Sequence, residues 1–339
     1  MQSICLITCY MGPLPNYFGY FVASCKQNTS IDFIVINDHI QKNFSDENVH
    51  YLKMDLIELN NYVSEKLGVN ISLSSAWKIN ELKPLFGAVF KDRLKNYDRW
   101  GWCDLDIIWG NLRHFLNDDV LKTYDVITTK ELWSTGHFTL FKNNELCNHL
   151  YNRFSGITSL LNDPTYFAFE ECCHRWNGEL LSFEELDRKG LPVSMFDIIK
   201  NSESKGELRA HFKDIIREHP QPINYTYKNG RLTDLKNNEE FMYYHLITVK
   251  KIWRFYIPEY KKGCDSLVIS HYGIRCENDI KFTWFFRILS TYPFTLPNII
   301  PFVKYLCRNG YTIRIGIEPK MICAAFCVLS LILKSTDKS

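Results

Sequence analysis

No Cys-x-x-Cys pair occurs among the twelve cysteines of this chain, and the adjacent Cys172 and Cys173 cannot easily bridge to each other. A secretory leader is not expected either. Met1-Gln2-Ser3 has no basic residue, and the first apolar run is about six residues, against the roughly 7–15 of a signal-peptide core. The cysteines are therefore read as reduced, mostly buried thiols of a cytoplasmic protein. Asn28-Thr29-Ser30 and Asn70-Ile71-Ser72 match the glycosylation pattern but mean nothing without secretion. Charge of one sign is lacking: the formal net charge is +2, so no broad nucleic-acid-binding face is implied. No apolar run reaches membrane-spanning length. Met321 to Leu333, bounded by Lys320 and Lys334, is about thirteen residues, short of the roughly 20 required. No internal repeat or low-complexity segment is evident. What remains is 46% apolar and 15% aromatic content over 339 residues, enough for one large or two modest domains with a packed core.

Ile4 to Tyr10 is a short apolar run that stops at Gly12-Pro13-Leu14-Pro15, which reads as a buried strand and a loop. Tyr17 to Gln27 has helical spacing, and Ile31 to Ile36 is a second apolar strand closed by Asn37-Asp38. A strand, a helix and a strand within about forty residues make a βαβ unit, hence a parallel sheet. Ligands of such sheets sit beyond the carboxyl ends of the strands. That edge would carry Thr8, Tyr10, Asp38 and the later Asp104-Leu105-Asp106. Asp38 there either holds a ribose or base, or is an acid in a turn. Val49 to Met54 reads as a third strand and Asp55 to Leu67 as a helix. Ser75 to Tyr97 is helical but broken at Lys83-Pro84, since proline removes a backbone donor. Lys83 at that break either faces a diphosphate or is a surface lysine.

Arg99-Trp100-Gly101-Trp102-Cys103-Asp104-Leu105-Asp106-Ile107-Ile108-Trp109-Gly110 is the stretch with the most chemistry. In an extended chain, alternation puts Asp104 and Asp106 on one face and Leu105 on the other. Two carboxylates side by side repel unless a cation lies between them, and oxygen donors suit Mn²⁺ or Mg²⁺, which also bind phosphate oxygens. The competing reading is a strand end whose acids are merely solvated. Tyr124 to Thr129 is a further strand, and Gly136 allows a tight turn before the alternating His137 to Phe141. Trp133, Ser134 and His137 are groups that stack on and hydrogen-bond a sugar, or else pack a turn.

Glu145 to Leu161 is predicted as one amphipathic helix, and Leu191 to Asp197 as a short strand. Glu170-Glu171 sits among aromatics. A carboxylate beside apolar rings has a raised pKa and can serve as a general base; otherwise the pair is a solvated face. Asn229-Gly230 between alternating residues signals a two-residue β-hairpin. In the following aromatic strand, His245 could complete a metal site, and Lys250 and Lys251 could neutralise phosphate. Residues 280–339 combine aromatics, an apolar stripe and Arg308, Arg314, Lys320 and Lys334. They suit either an interfacial membrane contact or a helix docked on the core.

These motifs together resemble bacterial glycosyltransferases of the GT-A type, most closely a group found in capsule and O-antigen gene clusters. The similarity lies in Tyr10-Met11-Gly12, Pro15-Asn16-Tyr17-Phe18, Lys83-Pro84, Trp100 to Asp106, Gly110-Asn111-Leu112-Arg113 and Gly136 to Asn143. It continues in Phe169-Glu170-Glu171 and in Tyr244-His245-Leu246 with Lys250-Lys251, and spans residues 1–255. The resemblance implies an α/β fold: a GT-A-like (Rossmann-like) mixed sheet flanked by helices, with a C-terminal helical extension. Residues 1–255 would be the catalytic domain, binding nucleotide-sugar and acceptor, and 256–339 a membrane-associating extension.

The implied activity is a metal-dependent transferase of hexosyl type. It would use a nucleotide-sugar, UDP-linked or similar, and a growing surface polysaccharide or lipid-linked glycan as acceptor. Asp104, Asp106 and His245 would bind Mn²⁺ or Mg²⁺. Thr8, Tyr10, Asp38, Lys83, Asp104 and Lys250 would contact the donor, and Trp133, Ser134, Gly136 and His137 the acceptor. Asp106 and Glu171 would be catalytic. The expected location is cytoplasmic, peripheral on the inner membrane if the C-terminal segment docks on lipid. Two other readings compete. A sugar-phosphate nucleotidyltransferase would carry a glycine-rich loop where this chain has Gly12-Pro13-Leu14-Pro15. A non-catalytic glycan-binding scaffold of an assembly complex would tolerate loss of Asp106.

Overall fold

The apolar run Ile4-Cys5-Leu6-Ile7-Thr8 has no polar alternation, so it must be covered on both faces. In the structure, a computed structural model describing residues 1–218, 224–252, 255–264, 266–270 and 273–277, it forms β1 (Ile4–Cys9), buried from Ile4 to Thr8. Alternation sends Ile4 and Leu6 into one apolar cluster and Cys5 and Ile7 into another. Two cores, one on each face, hold the central sheet.

The next strands are β2 (Ile31–Asn37), β3 (Phe44–Asp46), β4 (Val49–Lys53) and β5 (Arg99–Cys103). After them come β6 (Ile107–Trp109), β7 (Val126–Thr128), β8 (Phe138–Lys142) and β9 (Ala210–Phe212). The main sheet runs β3-β4-β2-β1-β5-β8-β7-β9. Strands β4, β2, β1 and β5 are parallel, β8 is antiparallel to β5 and β7, and β3 to β4. This is the expected mixed α/β sheet flanked by helices. The helix Phe18–Lys26 makes the first crossover, burying Tyr20, Phe21, Ser24 and Cys25. The helix Leu56–Leu67 makes a capping box between Asp55 and Glu58 and stops at Gly68, φ 66°. Over 75–97 the chain is helical but broken. The helices Ile79–Leu82 and Phe86–Val89 flank a 3₁₀ turn, Lys83–Leu85, where Pro84 occupies a first-turn position that needs no donor.

Three expectations fail. Glu145 to Leu161 is not one helix. It divides into Glu145–Asn148, a 3₁₀ turn Leu150–Arg153 and Ile157–Asn162, the last starting at Gly156, and Cys147, Leu150, Leu160 and Leu161 from the three pieces all enter one apolar cluster. Leu191 to Asp197 is not a strand. Ser194 caps the helix Met195–Ser204, its hydroxyl accepting from Asp197 N while the Asp197 carboxylate accepts from Ser194 N. The cysteines are not all reduced. Cys264 and Cys276 are disulfide-bonded, with Cα atoms 5.8 Å apart, whereas Cys5, Cys9, Cys25, Cys103, Cys147, Cys172 and Cys173 are free thiols.

A second sheet uses β10 (Tyr225–Lys228), β11 (Arg231–Asp234) and β12 (Glu240–Phe241). Then follow β13 (Tyr243–His245), β14 (Ser266–Ser270) and β15 (Gly273–Cys276). Its order is β12-β11-β10-β14-β15, all antiparallel. The β10–β11 hairpin turns at Asn229 (φ 50°) and Gly230 (φ 73°), as a two-residue turn with both angles positive requires. Because β14 pairs with β10, the expected 255/256 division falls inside this sheet. Strand β13 leaves it to pair with β6, antiparallel, with His245 opposite Ile107. Among the described residues no helix is long and apolar enough to cross a membrane. Of the expected 256–339 extension, the described part carries β14 and β15, and the Met321–Leu333 run with its flanking basic residues lies outside the described residues.

Candidate active site

Asp104 and Asp106 do not lie within a strand, as simple alternation would have it. Strand β5 ends at Cys103 and β6 begins at Ile107, so the acids occupy the bend between them. Leu105 is buried in the core and pins the bend. The antiparallel register of β6 and β13, extended by Leu246 N donating to Asp106 O at 2.8 Å, then brings His245 alongside. His245 Nε2 lies 3.4 Å from Asp106 Oδ1 and 4.0 Å from Asp104 Oδ2. One donor atom from each of the three residues falls within 4.8 Å of the others.

Two lysines close this group. Lys83 Nζ is 2.5 Å from Asp104 Oδ1 and donates to Gly136 O at 2.8 Å; Lys250 Nζ is 2.7 Å from Asp106 Oδ2. Burial raises the Asp106 pKa, but His245 and then Lys250 outweigh it and hold the carboxyl well below the ordinary range. Burial likewise opposes the His245 imidazolium, yet Asp106 and Glu218 push its pKa up to about 9. Glu218 Oε2 is 3.4 Å from His245 Nδ1, and Glu218 Oε1 is 2.7 Å from Lys130 Nζ. His137 packs against His245, ring centroids 4.4 Å apart, and its Nδ1 is 2.6 Å from the Tyr243 hydroxyl. Burial, and then the charge of His245, hold His137 well below its ordinary pKa.

The second acidic group faces the first across Lys83. Glu171 Oε1 accepts from Gly136 N at 2.8 Å, and a Cβ at Gly136 would lie 2.9 Å from that oxygen. Only glycine permits so close an approach. Tyr166 OH donates to Glu170 Oε1 at 2.5 Å. Burial pushes Glu171 up to about 6; burial and the charge of Glu171 push Glu170 up to about 8. A buried ion pair, Lys78 with Glu81, supports this loop from beneath. Lys78 Nζ donates to Thr165 O at 2.8 Å, and Glu81 Oε1 accepts from Phe167 N at 2.6 Å.

Asp104, Asp106, His245, Lys83, Lys250, Glu171 and Gly136 therefore come together as the sequence suggested. Others take different places. Thr8 is buried within β1. Tyr10 follows that strand, its N–H donating to Ile36 O. Asp38 Oδ1 accepts from Gly12 N at 2.7 Å, so it builds the loop after β1. Ser134 is buried and donates to Glu171 O at 2.8 Å, and His137 belongs with His245 and Glu218. Of the expected acceptor set, Trp133 alone reaches a surface group of rings, 5.5 Å from Trp176. The sequence reading missed Glu218, Lys130, Tyr243, Lys78 and Glu81. Glu218 has no local signal, because its histidine is 27 residues away, and nothing in the i,i+3 spacing of Lys78 and Glu81 signals that the pair is buried.

A divalent cation fits the donors present. His245 Nε2 is buried with no hydrogen-bond partner among the described residues, and two carboxylates face it. Carboxylate oxygens with one imidazole suit Mn²⁺ or Mg²⁺. An ion there would compete with Lys83 and Lys250 for the same carboxylates.

Residues 6–277 match a family described as "Family of unknown function (DUF6625)". No curated protein matches the chain. Among solved structures, mouse xyloside xylosyltransferase 1 in its apo form is similar at 10% identity, over 64% of this chain and 87% of that one, with a TM-score of 0.37. The galactosyltransferase LgtC, solved with donor and acceptor sugar analogs, is similar at 14% identity over 63% and 75%, with a TM-score of 0.29. Likenesses this distant carry no weight for the chemistry, which has to be argued from the site.

Proposed function

The chain belongs to this family of unknown function, matching it over residues 6–277, and we propose that it is a metal-dependent glycosyltransferase. It would move a sugar from a nucleotide-sugar, UDP-linked in the first instance, to a growing surface polysaccharide or lipid-linked glycan on the cytoplasmic side of a membrane. One observation carries the reading: Asp104, Asp106 and His245 converge at the carboxyl end of β5, with Nε2 of the histidine buried between the two carboxylates and making no hydrogen bond among the described residues. Parallel sheets bind their ligands beyond that edge.

A bound Mn²⁺ or Mg²⁺ would supply neutralisation of the charge that develops on a diphosphate leaving group. Asp104, Asp106 and His245 would hold it. Lys83 and Lys250, fixed by those aspartates, place two further positive charges on the same edge. Glu171, if the anomeric configuration inverts, takes the proton of the acceptor hydroxyl; its Oε1 is already oriented by Gly136 N. If the configuration is retained, Glu171 positions the acceptor.

The test is isothermal titration of the full chain with UDP, with Mn²⁺ present and then with EDTA. Metal-dependent binding is expected. Asp106→Asn, which keeps the side-chain shape, should fold normally and weaken that binding by at least about tenfold. UDP affinity that is the same with Mn²⁺, with EDTA and in the variant would overturn the metal assignment.

A further inference from the structure

Five aromatic rings form a continuous ribbon beside the two glutamates. Trp77 meets Tyr166 at 5.5 Å between centroids, Tyr166 meets His174 at 5.9 Å, His174 meets Trp176 at 6.2 Å, and Trp176 meets Trp133 at 5.5 Å. All four pairs are edge-to-face, with interplanar angles of 70–77°. No two of these rings are stacked face on face; in each pair the edge of one meets a face of the other. Trp77 is 61% exposed and Trp176 44%. Two tryptophans left open in one patch are unusual on a surface with no ligand, since each presents a large apolar area to water.

The ribbon is held in place. Tyr166 is tied to Glu170, and Cys173 N and Glu171 N both donate to Ala168 O. Ala168, Cys173 and His174 all adopt left-handed backbone angles, φ 56°, 48° and 61°, which side chains other than glycine avoid. Its inner end is continuous with the candidate site. Trp133 precedes Ser134, whose hydroxyl bonds to Glu171 O, and the Glu171 carboxylate sits on Gly136, whose carbonyl accepts from Lys83.

We propose that this ribbon is a binding platform for an extended glycan of three or more sugar residues, leading to Glu171. A pyranose has an apolar C–H face that packs on an aromatic ring and a polar rim that needs hydrogen bonds. Trp77, Tyr166, Trp176 and Trp133 supply the rings, and the exposed imidazole of His174 lies between them as the polar group, the Tyr166 hydroxyl being taken up by Glu170. An acyl chain would need a continuous apolar groove instead. Calling the bound glycan an acceptor rests on the transferase reading; the platform itself does not.

The experiment presents the full chain to an array of oligosaccharides of one to six residues, then titrates the strongest binder calorimetrically. Oligosaccharides of three or more residues should bind, and their monosaccharides should not. Trp77→Ala and Trp176→Ala should each weaken binding about tenfold, with Trp176→Phe recovering most of it and UDP binding with Mn²⁺ unchanged in all three. Absence of any glycan binding overturns the platform, as do glycan affinities indifferent to both alanine variants, or tryptophan-dependent binding to phosphatidylglycerol vesicles in place of glycans. Tryptophan-dependent glycan binding without UDP binding supports the platform while removing the transferase reading. UDP binding without glycan binding does the reverse.

Discussion

Glu171 loses its proton within the range where an enzyme works, because burial lifts it to about 6 while Gly136 and Lys83 hold it from rising further. A base must be deprotonated to act, so for an inverting transfer kcat/KM should rise with pH through about 6 and then level off. Glu171→Gln should lower it by about 10²–10⁴-fold and abolish the rise. A Gln variant that keeps the rise would show that another group titrates. His245 behaves in the opposite sense. Its pKa of about 9 means the ring is charged at neutral pH when no metal is bound, and a metal ligand must be neutral. Mn²⁺ affinity should therefore climb with pH, up to about tenfold per unit, until pH 9 is passed. Calorimetry at three values between pH 6.5 and 9 measures it, and a flat profile would remove His245 from the ligand set.

At the scale of elements, the bend between β5 and β6 depends on how tightly β5 is packed. Trp100 is fully buried, stacked on Phe141 at 4.8 Å, and its Nε1 donates to Asn148 Oδ1 at 2.6 Å. The helix Phe86–Val89 crosses it at Gly87, where a Cβ would lie 2.4 Å from the indole ring. Gly→Ala in a helix ordinarily stabilises by about 0.5–1 kcal/mol. Here overpacking against a ring that cannot move costs about 1–3 kcal/mol, so the sign reverses. Gly87→Ala should lower the urea midpoint, and a raised midpoint would mean that Trp100 has room to shift. Strand β13 makes the complementary point. Its aromatic residues read locally as a strand, but its pairing with β6, which sets His245 beside Asp106, joins segments more than 130 residues apart and has no local code.

For the molecule as a whole, the chain divides into two compact units, Met1–Asn278 and Asp279–Ser339, and the first holds three apolar clusters of its own. A chain ending at Asn278 should unfold in one cooperative urea transition and bind UDP with Mn²⁺ as tightly as the full chain. Insolubility, or loss of that binding, would show that residues 279–339 complete the core. What the sequence by itself determined is whatever depends on near neighbours. Unbroken apolar runs made β1 and β2 central strands, Asn229-Gly230 turned a hairpin, Lys83-Pro84 broke a helix, and two aspartates one residue apart marked the candidate site. Tertiary structure alone decided the rest. It bent Glu145 to Leu161 into three pieces, bonded Cys264 to Cys276, moved His137 from the acceptor set to His245, and brought in Glu218 and Lys130. Each of these is a long-range contact, and burial within it, rather than the local pattern, sets both the geometry and the charge state.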